Sequence, residues 1–292
     1  MSQLVLYLMN KKGLCVLERL LETVSAEKIA YVVLSKDENV RKDYQFEIQD
    51  LCEQKRIRTF DRKDALPAFS GYKFAVGWRW MIEDTENLII FHDSILPRYR
   101  GFSPLVNMLI NGEKEIGVTA LFATDHYDRG DIIQIKKESV DYPLKIEEAI
   151  YRVGRMCGEL IVGLSEKILN GQSISAVPQN EQEVSYSVWR DSDDYVIDWN
   201  QSASLIQRTV DALGFPYAGA RTTVNQEWIV LEDVEEVFDY KIENRDVGKV
   251  LFAEDGHPVV ICGQGLLKLK AARNEAGNSV LPMKKFRSRF GG

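Results

Sequence analysis

Short apolar runs alternate with amphipathic stretches through the N-terminal part of the chain, and this order limits the folds that it can adopt. The strand-like runs are Leu4–Met9, Ile29–Leu34, Ile57–Phe60, Phe74–Gly77 and Leu88–Phe91, and the helical stretches between them include Leu14–Val24 and Val40–Gln54. The pattern predicts an α/β fold built on an open, mostly parallel sheet with helices on both faces. Ligands bind such sheets outside the carboxyl ends of the strands. The strand ending at Phe91 therefore delivers His92 and Asp93 to the expected site.

A change in composition divides the chain into two predicted domains. A long helical pattern from Ile146 to Leu169 stops at Asn170-Gly171, and a polar, turn-rich stretch follows it. We expect a first domain over 1–180 that carries the site, and a small β-rich C-terminal domain over 187–292. In the second domain the pattern predicts the helix Ala203–Leu213 and strands near Trp228–Leu231, Lys249–Phe252, Pro258–Cys262 and Leu266–Leu269.

Composition and charge narrow the classes of partner. The 292-residue chain has no apolar run near the ~20 residues of a membrane-spanning helix, and we expect a cytoplasmic protein without a membrane partner. A net charge of −7 disfavours a nucleic-acid partner, because binding to a nucleic-acid backbone normally requires a basic surface. Buried thiols, rather than metal ligands or disulfides, are expected at the four cysteines, since they form no Cys-x-x-Cys pair: Cys15, Cys52, Cys157 and Cys262.

The densest group of reactive side chains follows the strand that ends at Phe91. It comprises the run 92–104, which starts at His92 and includes a turn at Pro97, then Gly117-Val118-Thr119, and then the acidic loop 128–133. We expect Arg100-Gly101 to open a helix. A histidine placed after a strand and an aspartate in a nearby loop form a plausible acid–base pair on a fixed scaffold. The other two histidines, His126 and His257, are expected in an exposed loop and a surface turn.

These motifs resemble a known signature. The run His-x-Ser-(Leu/Ile)-Leu-Pro-x-Tyr-Arg-Gly, followed by Gly-Val-Thr and Asp-x-Gly-Asp-Ile, looks like that of the folate-dependent formyltransferase superfamily. The similarity continues through 189–199 and 208–220, which resemble the opening of the family's C-terminal domain. The resemblance implies a Rossmann-like catalytic domain that moves a formyl group from N10-formyltetrahydrofolate to an amine, with no metal.

The resemblance also implies roles for single residues. His92 would meet the formyl oxygen or the attacking nitrogen, and Asp128 would pair with the imidazole and help to move the proton; Asp125 is the alternative aspartate. The family usually places an asparagine two residues before the histidine, whereas this chain has Ile90. Removing one oxyanion donor typically costs on the order of 10²–10³ in rate. Either another donor substitutes, or the enzyme works with His92 and the backbone alone, or catalysis has been lost.

Two further sets of residues are implied for ligands. Folate-binding residues are expected in the stretch after the strand Phe74–Gly77 and in the loop before Asp128: Trp78, Arg79, Trp80, Met81, Ile82, Asp125, His126 and Tyr127. Substrate-binding residues are expected at Asn10, Arg100, Gly101 and Phe102. Core packing is the alternative for Trp78 and Trp80, a structural bond to a helix end is the alternative for Arg100, and an ordinary turn is the alternative for Asn10.

Three amines are candidate acceptors: a nucleotide-linked sugar amine, the aminoacyl end of initiator tRNA, and a small phosphorylated amine. The acidic balance favours a small substrate over tRNA. The overall resemblance is greatest to sugar-nucleotide N-formyltransferases of bacterial surface-glycan pathways, which implies a homodimer that acts on a dTDP- or UDP-linked 4-amino-4,6-dideoxy sugar. A sugar of the pseudaminic acid route is the particular expectation. Methionyl-tRNA formyltransferase and a catalytically silent folate- or nucleotide-binding relative remain the alternatives.

Overall fold

The computed structural model describes residues 3–283 and 285–291. Its strands, in chain order, are β1 (Leu4–Leu8), β2 (Ile29–Leu34), β3 (Thr59–Asp61), β4 (Tyr72–Val76), β5 (Leu88–His92), β6 (Arg100–Gly101), β7 (Glu115–Phe122), β8 (Ile132–Ser139), β9 (Tyr186–Ser187), β10 (Ala220–Val224), β11 (Glu227–Val237), β12 (Val250–Glu254), β13 (His257–Ile261) and β14 (Leu266–Asn274). Its α-helices are α1 (Asn10–Thr23), α2 (Gln45–Gln54), α3 (Pro104–Asn111), α4 (Ile146–Leu169) and α5 (Ala203–Leu213).

The larger sheet confirms the predicted α/β class. Its strand order among the described residues is β3-β2-β1-β4-β5-β7-β8. The strands from β1 to β5 pair in parallel, whereas β7 runs antiparallel to both β5 and β8. All five residues of the central strand β1 are buried, as expected for a parallel strand that is covered on both faces.

Three element boundaries differ from the predictions. Arg100-Gly101 does not open a helix; it forms the short strand β6, which pairs in parallel with β9, and α3 begins later at Pro104. A proline suits the first turn of a helix because its missing N–H would have no partner there. Helix α1 begins at Asn10 rather than at Leu14, and α2 begins at Gln45 rather than at Val40.

The chain contains two compact units, and each is made of three segments that are separated in sequence. One unit comprises the segments up to Leu105, Lys114–Val140 and Glu148–Val188. The other comprises Val106–Glu113, Asp141–Glu147 and the chain from Trp189 onward. The second unit contains an antiparallel sheet with the order β10-β11-β14-β13-β12, which confirms the prediction of a β-rich C-terminal part. The observed bounds of α4 and α5 are those that the sequence predicts.

Cys52, Cys157 and Cys262 are buried, as predicted, whereas Cys15 is half-buried. Burial raises the pKa of the Cys52 and Cys262 thiols to about 12.

Within 3–283 and 285–291, no three histidine, cysteine or acidic side chains are grouped as a metal ion would require. No helix in the same residues is long and apolar enough to cross a membrane.

Candidate active site

His92 and Asp128 lie next to each other at the carboxyl end of β5. The Nδ1 atom of His92 is 3.2 Å from Oδ1 of Asp128, which is within ion-pairing distance. Both side chains are largely buried, at 8% and 12% exposure. The structure thus brings together the two residues that the motif predicts as an acid–base pair.

The second ring nitrogen of His92 indicates how the ring is protonated. Its Nε2 lies 2.8 Å from the main-chain oxygen of Tyr99. A carbonyl oxygen only accepts, so Nε2 carries the hydrogen of this bond. In an imidazolium, the second hydrogen, on Nδ1, would face the Asp128 carboxylate. Imidazolium is the form that can stabilise a developing oxyanion.

The Asp128 carboxylate is held on its other side by the backbone. Oδ2 accepts a hydrogen bond of 2.9 Å from the main-chain N–H of Gly101. Gly101 has a φ of 103°, and an added Cβ would lie 2.6 Å from the Ser187 carbonyl oxygen. Only glycine fits this position, because any side chain there would meet both steric limits. The glycine of the motif therefore lets a backbone donor reach the carboxylate.

A second close approach shapes the loop that carries Asp128. A Cβ added to Gly130 would lie 1.7 Å from the main-chain oxygen of Phe122, at the end of β7. Asp128 itself has a φ of 55°, in the left-handed region that most side chains avoid. The Asp-x-Gly spacing thus allows a tight loop that turns the carboxylate toward His92.

Thr119 anchors the chain that follows His92. It lies opposite His92 in the β5–β7 register. Its buried hydroxyl donates to the main-chain oxygen of Ser94 at 2.7 Å and accepts from the main-chain N–H of Leu96 at 3.1 Å. The threonine of the Gly-Val-Thr motif therefore holds the turn in a fixed position beside the histidine.

Part of the predicted folate-binding stretch after β4 packs against an apolar cluster. Trp78 and Ile82 pack against the cluster of Val5, Tyr7, Tyr31, Val33, Ala75 and Leu88, together with Ile90 and Ala123. Trp78 contacts Tyr7 and Trp80 edge-on, at centroid distances of 5.2 Å and 5.5 Å. Its indole Nε1 is buried and has no hydrogen-bond partner in the part of the chain that the structure describes. Met81 is 47% exposed.

Ile90 contributes no polar group to the site. It lies two residues before His92 on β5 and is half-buried in the same cluster as Trp78. The position at which the family usually has an asparagine is therefore an apolar packing position in this chain.

The other predicted folate-binding residues form the exposed loop between β7 and β8. Asp125, His126 and Tyr127 are exposed. The hydroxyl of Thr124 donates to the main-chain oxygen of His126 at 2.9 Å. The Tyr127 ring lies 5.6 Å from that of Phe102, which is 45% exposed. Tyr127 precedes Asp128 in the chain, and Phe102 follows Gly101, whose N–H bonds to Asp128, so the two rings form an exposed aromatic pair near this aspartate.

Asn10 and Arg79 meet at a residue that the sequence analysis did not single out. The nearly buried carboxylate of Asp37, which follows β2, accepts from Nδ2 of Asn10 at 3.0 Å and from Nη1 of Arg79 at 2.6 Å. Asn10 begins helix α1 and is not part of a separate turn. The ends of β1, β2 and β4 each supply one member of this group. No spacing rule indicates it, because its members are far apart in the chain.

Arg100 departs from its expected role. Its side chain is fully buried, and its guanidinium donates to Oε1 of Gln179 and to the carboxylate of Glu181. The hydrogen bonds from Arg100 to the Glu181 carboxylate hold the pKa of that carboxyl below its usual range. Arg100 therefore pairs with groups of the protein itself, and its buried guanidinium is not accessible to a phosphate or carboxylate of a ligand. The sequence analysis missed Gln179, which lies in a polar stretch without a motif.

Comparison with known proteins assigns the family. The formyl transferase family matches residues 3–162, and the C-terminal domain of formyl transferases matches residues 191–290. The chain belongs to the formyl transferase family. The resemblance noted in the sequence is thereby confirmed.

The similar proteins differ in the acceptor that they are named for or in the ligands with which they were solved. Methionyl-tRNA formyltransferase of Syntrophomonas wolfei is 26% identical over 203 residues, which are 68% of this chain and 62% of that protein. The match thus spans less than two thirds of that relative. The N-formyltransferase from Helicobacter canadensis in complex with folinic acid and dTDP-3-aminofucose aligns with a TM-score of 0.68 and 15% identity, covering 92% and 99% of the two chains. HypX from Aquifex aeolicus in complex with tetrahydrofolic acid gives a TM-score of 0.64 and 19% identity over 94% and 45%. At these identities, the two structures establish the fold.

Proposed function

We propose that this chain transfers the formyl group of N10-formyltetrahydrofolate to the amine of a nucleotide-linked 4-amino-4,6-dideoxy sugar. The observation that carries the proposal is the pairing of His92 with Asp128, with Gly101 holding the carboxylate from its other side. The family assignment supports formyl transfer as the reaction.

The surroundings of Trp78 fit a folate. Its buried Nε1–H has no partner among the described residues, and the neighbouring cluster is apolar and aromatic. A buried donor without an acceptor costs free energy, which a heteroaromatic ligand with an acceptor atom would recover. We expect Trp78, Ile82 and the loop 125–127 to hold the pterin ring. When bound, N10-formyltetrahydrofolate supplies an electrophilic formyl carbon.

The protein's own contribution would be charge stabilisation and proton movement. The Nε2–H of His92, which bonds to the Tyr99 carbonyl in the structure, can turn to the formyl oxygen as negative charge develops there. Asp128 orients the ring, and its carboxylate can help to move away the proton that the attacking amine must lose. The carboxylate is fixed by the Gly101 N–H, so its position needs no rearrangement during the reaction.

The choice of a sugar nucleotide rests on two observations. A structural neighbour that covers 92% of this chain was solved with dTDP-3-aminofucose. The net charge of −7 disfavours a large polyanion such as tRNA. Methionyl-tRNA formyl transfer remains the second candidate, because the curated relatives carry that name.

A product assay tests the proposal. The purified protein is incubated with N10-formyltetrahydrofolate and with dTDP- and UDP-linked 3-amino and 4-amino sugars, and mass spectrometry follows the gain of one formyl group. A formylated sugar supports both the reaction and the acceptor class. Folate binding without product on any sugar would reject the sugar acceptor, and absence of turnover on charged initiator tRNA as well would favour a silent relative.

The His92→Asn and Asp128→Asn variants test the mechanism. We expect each to lower the rate of transfer by about 10³-fold, while folate affinity measured by calorimetry stays near that of the wild type. The matched control is His257→Asn, which changes a histidine of the second unit that bonds to the main-chain oxygen of Leu269. Undiminished turnover in His92→Asn would remove His92 from the mechanism.

A further inference from the structure

Gln179 bonds to the two segments that hold the His92–Asp128 pair: the segment around Arg100 in β6, and the 128–130 loop. It lies in the irregular segment after α4, and its side chain is only 9% exposed. Its Oε1 accepts from Nε and Nη2 of Arg100, at 3.0 Å and 2.8 Å. Its Nε2 donates to the main-chain oxygens of Asp128 and Gly130, each at 2.8 Å. Every polar atom of this side chain is therefore bonded to one of the two segments.

The bonds to Asp128 and Gly130 act on a strained part of the backbone. Asp128 is a non-glycine residue with a φ of 55°. Such a conformation persists only where the surroundings over-determine it. Because Nε2 of Gln179 holds the carbonyl groups of Asp128 and Gly130, it stabilises the loop shape that directs the carboxylate at His92.

The bonds to Arg100 act on strand β6 and the residues beside it. The main-chain N–H of Arg100 donates to the Ser185 carbonyl at 2.9 Å, and β6 pairs with β9. The residue before Arg100 is Tyr99, whose carbonyl accepts from Nε2 of His92. The residue after it is Gly101, whose N–H donates to Asp128. The Arg100–Gln179 contact thus fixes the segment that contacts both members of the pair.

We propose that Gln179 is a positioning residue for this reaction, an inference that rests on the proposed function. It acts through Asp128: by holding the main chain of the 128–130 loop, it sets the distance between the carboxylate and the imidazole. The hydrogen bonds of its side chain go to Arg100 and to the main chain of Asp128 and Gly130, and not to the ring of His92.

Two substitutions separate positioning from simple stability. Gln179→Glu keeps an acceptor for Arg100 but removes the N–H donors to Asp128 and Gly130, and Gln179→Met removes all the hydrogen bonds while keeping the length. The matched control is Gln182→Met, the same change at an exposed residue of the same segment. We expect kcat of both Gln179 variants to fall by about 10- to 100-fold, with KM for N10-formyltetrahydrofolate within about twofold of the wild type. Gln182→Met should behave as the wild type does.

A double-mutant cycle shows whether the effect passes through Asp128. In the Asp128→Asn background, Gln179→Glu should lower kcat by less than about threefold further, because the group that it positions is already disabled. Full multiplication of the two losses would overturn the proposal, as would a wild-type kcat in Gln179→Glu.

Hydrogen exchange at the Gly101 amide tests the positioning role of Gln179 without requiring any catalysed reaction. The N–H of Gly101 is protected by its bond to Asp128. Hydrogen exchange at this amide should become about tenfold faster or more in Gln179→Glu and stay unchanged in Gln182→Met. Faster exchange in a protein that formylates no acceptor would keep the positioning role and reject the proposed reaction. Unchanged exchange in Gln179→Glu would reject the positioning role, whatever the wild type catalyses.

Discussion

At the scale of single residues, Ile90 leaves the site without the side-chain donor that would stabilise an oxyanion at this position. Its side chain packs in the cluster that contains Trp78, two residues before His92 on β5. An oxyanion donor is worth on the order of 10²–10³ in rate. The chain therefore either works without this donor or obtains it from another group, and the buried Nε1–H of Trp78 lies in the same cluster.

The Ile90→Asn variant distinguishes these possibilities. We expect kcat for formyl transfer to rise by about tenfold or more, because an amide at this position adds a donor beside His92. Thermal stability should fall, since a polar group enters an apolar cluster. Steady-state kinetics and calorimetry measure both effects, with Ile90→Val as the control that adds no donor. A kcat no higher than that of the wild type would show that the missing donor at position 90 does not limit this enzyme.

At the scale of elements, helix α5 contains a carboxylate that opposes folding at neutral pH. Asp211 is 4% exposed, and its Oδ2 has no partner among the described residues. Burial raises its pKa from 3.8 to about 6, Lys145 partly offsets this, and Asp233 adds to it. The unfolded carboxyl ionises near pH 4 and the folded one near pH 6, so the cost to folding is absent below about pH 4 and complete above about pH 6.

We expect Asp211→Asn to raise the free energy of unfolding by about 1–3 kcal/mol at pH 8, because the amide carries no charge to bury. At about pH 4 the variant and the wild type should be equally stable. Urea unfolding at the two pH values measures the difference. Asp193→Asn is the control, since that side chain is 95% exposed. Equal stability at pH 8 would mean that Asp211 is solvated or paired in solution.

At the scale of the whole molecule, charge separates the two candidate acceptors. The chain has 44 acidic and 37 basic residues. A protein that binds tRNA tightly neutralises many phosphates and becomes sensitive to salt, whereas a sugar nucleotide has only a diphosphate to neutralise.

We therefore expect charged initiator tRNA to bind with a Kd weaker than about 1 μM at about 0.15 M salt. Filter binding over a range of salt concentrations measures this, and an N-formyltransferase with methionyl-tRNA as its substrate provides the positive control. Sub-micromolar, salt-sensitive binding would move the proposal to methionyl-tRNA.

The local sequence determined the secondary structure where the periodicity was strong, and it determined the candidate pair. Helices α4 and α5 have the predicted bounds because each combines a long amphipathic pattern with clear end signals. His92 and Asp128 could be predicted because the short motifs around them resemble the formyltransferase signature. The structure adds that the glycines of these motifs, Gly101 and Gly130, make close backbone contacts. Boundaries were less accurate around Arg100, where strand pairing with a distant segment overrides the local preference for helix.

Only the tertiary structure decided which polar side chains form hydrogen bonds and ion pairs with each other in the interior. Arg100 was a reasonable ligand-binding cation by sequence, but its partner Gln179 is 79 residues away and buries the guanidinium. Asp37 joins Asn10 and Arg79 across separations of 27 and 42 residues in the same way. Periodicity and motifs report on neighbours within a few positions, whereas the partners of a buried charge depend on how distant segments pack. For that reason the sequence could predict that His92 and Asp128 are candidates for one site, but not the side chain that we propose to hold them in place.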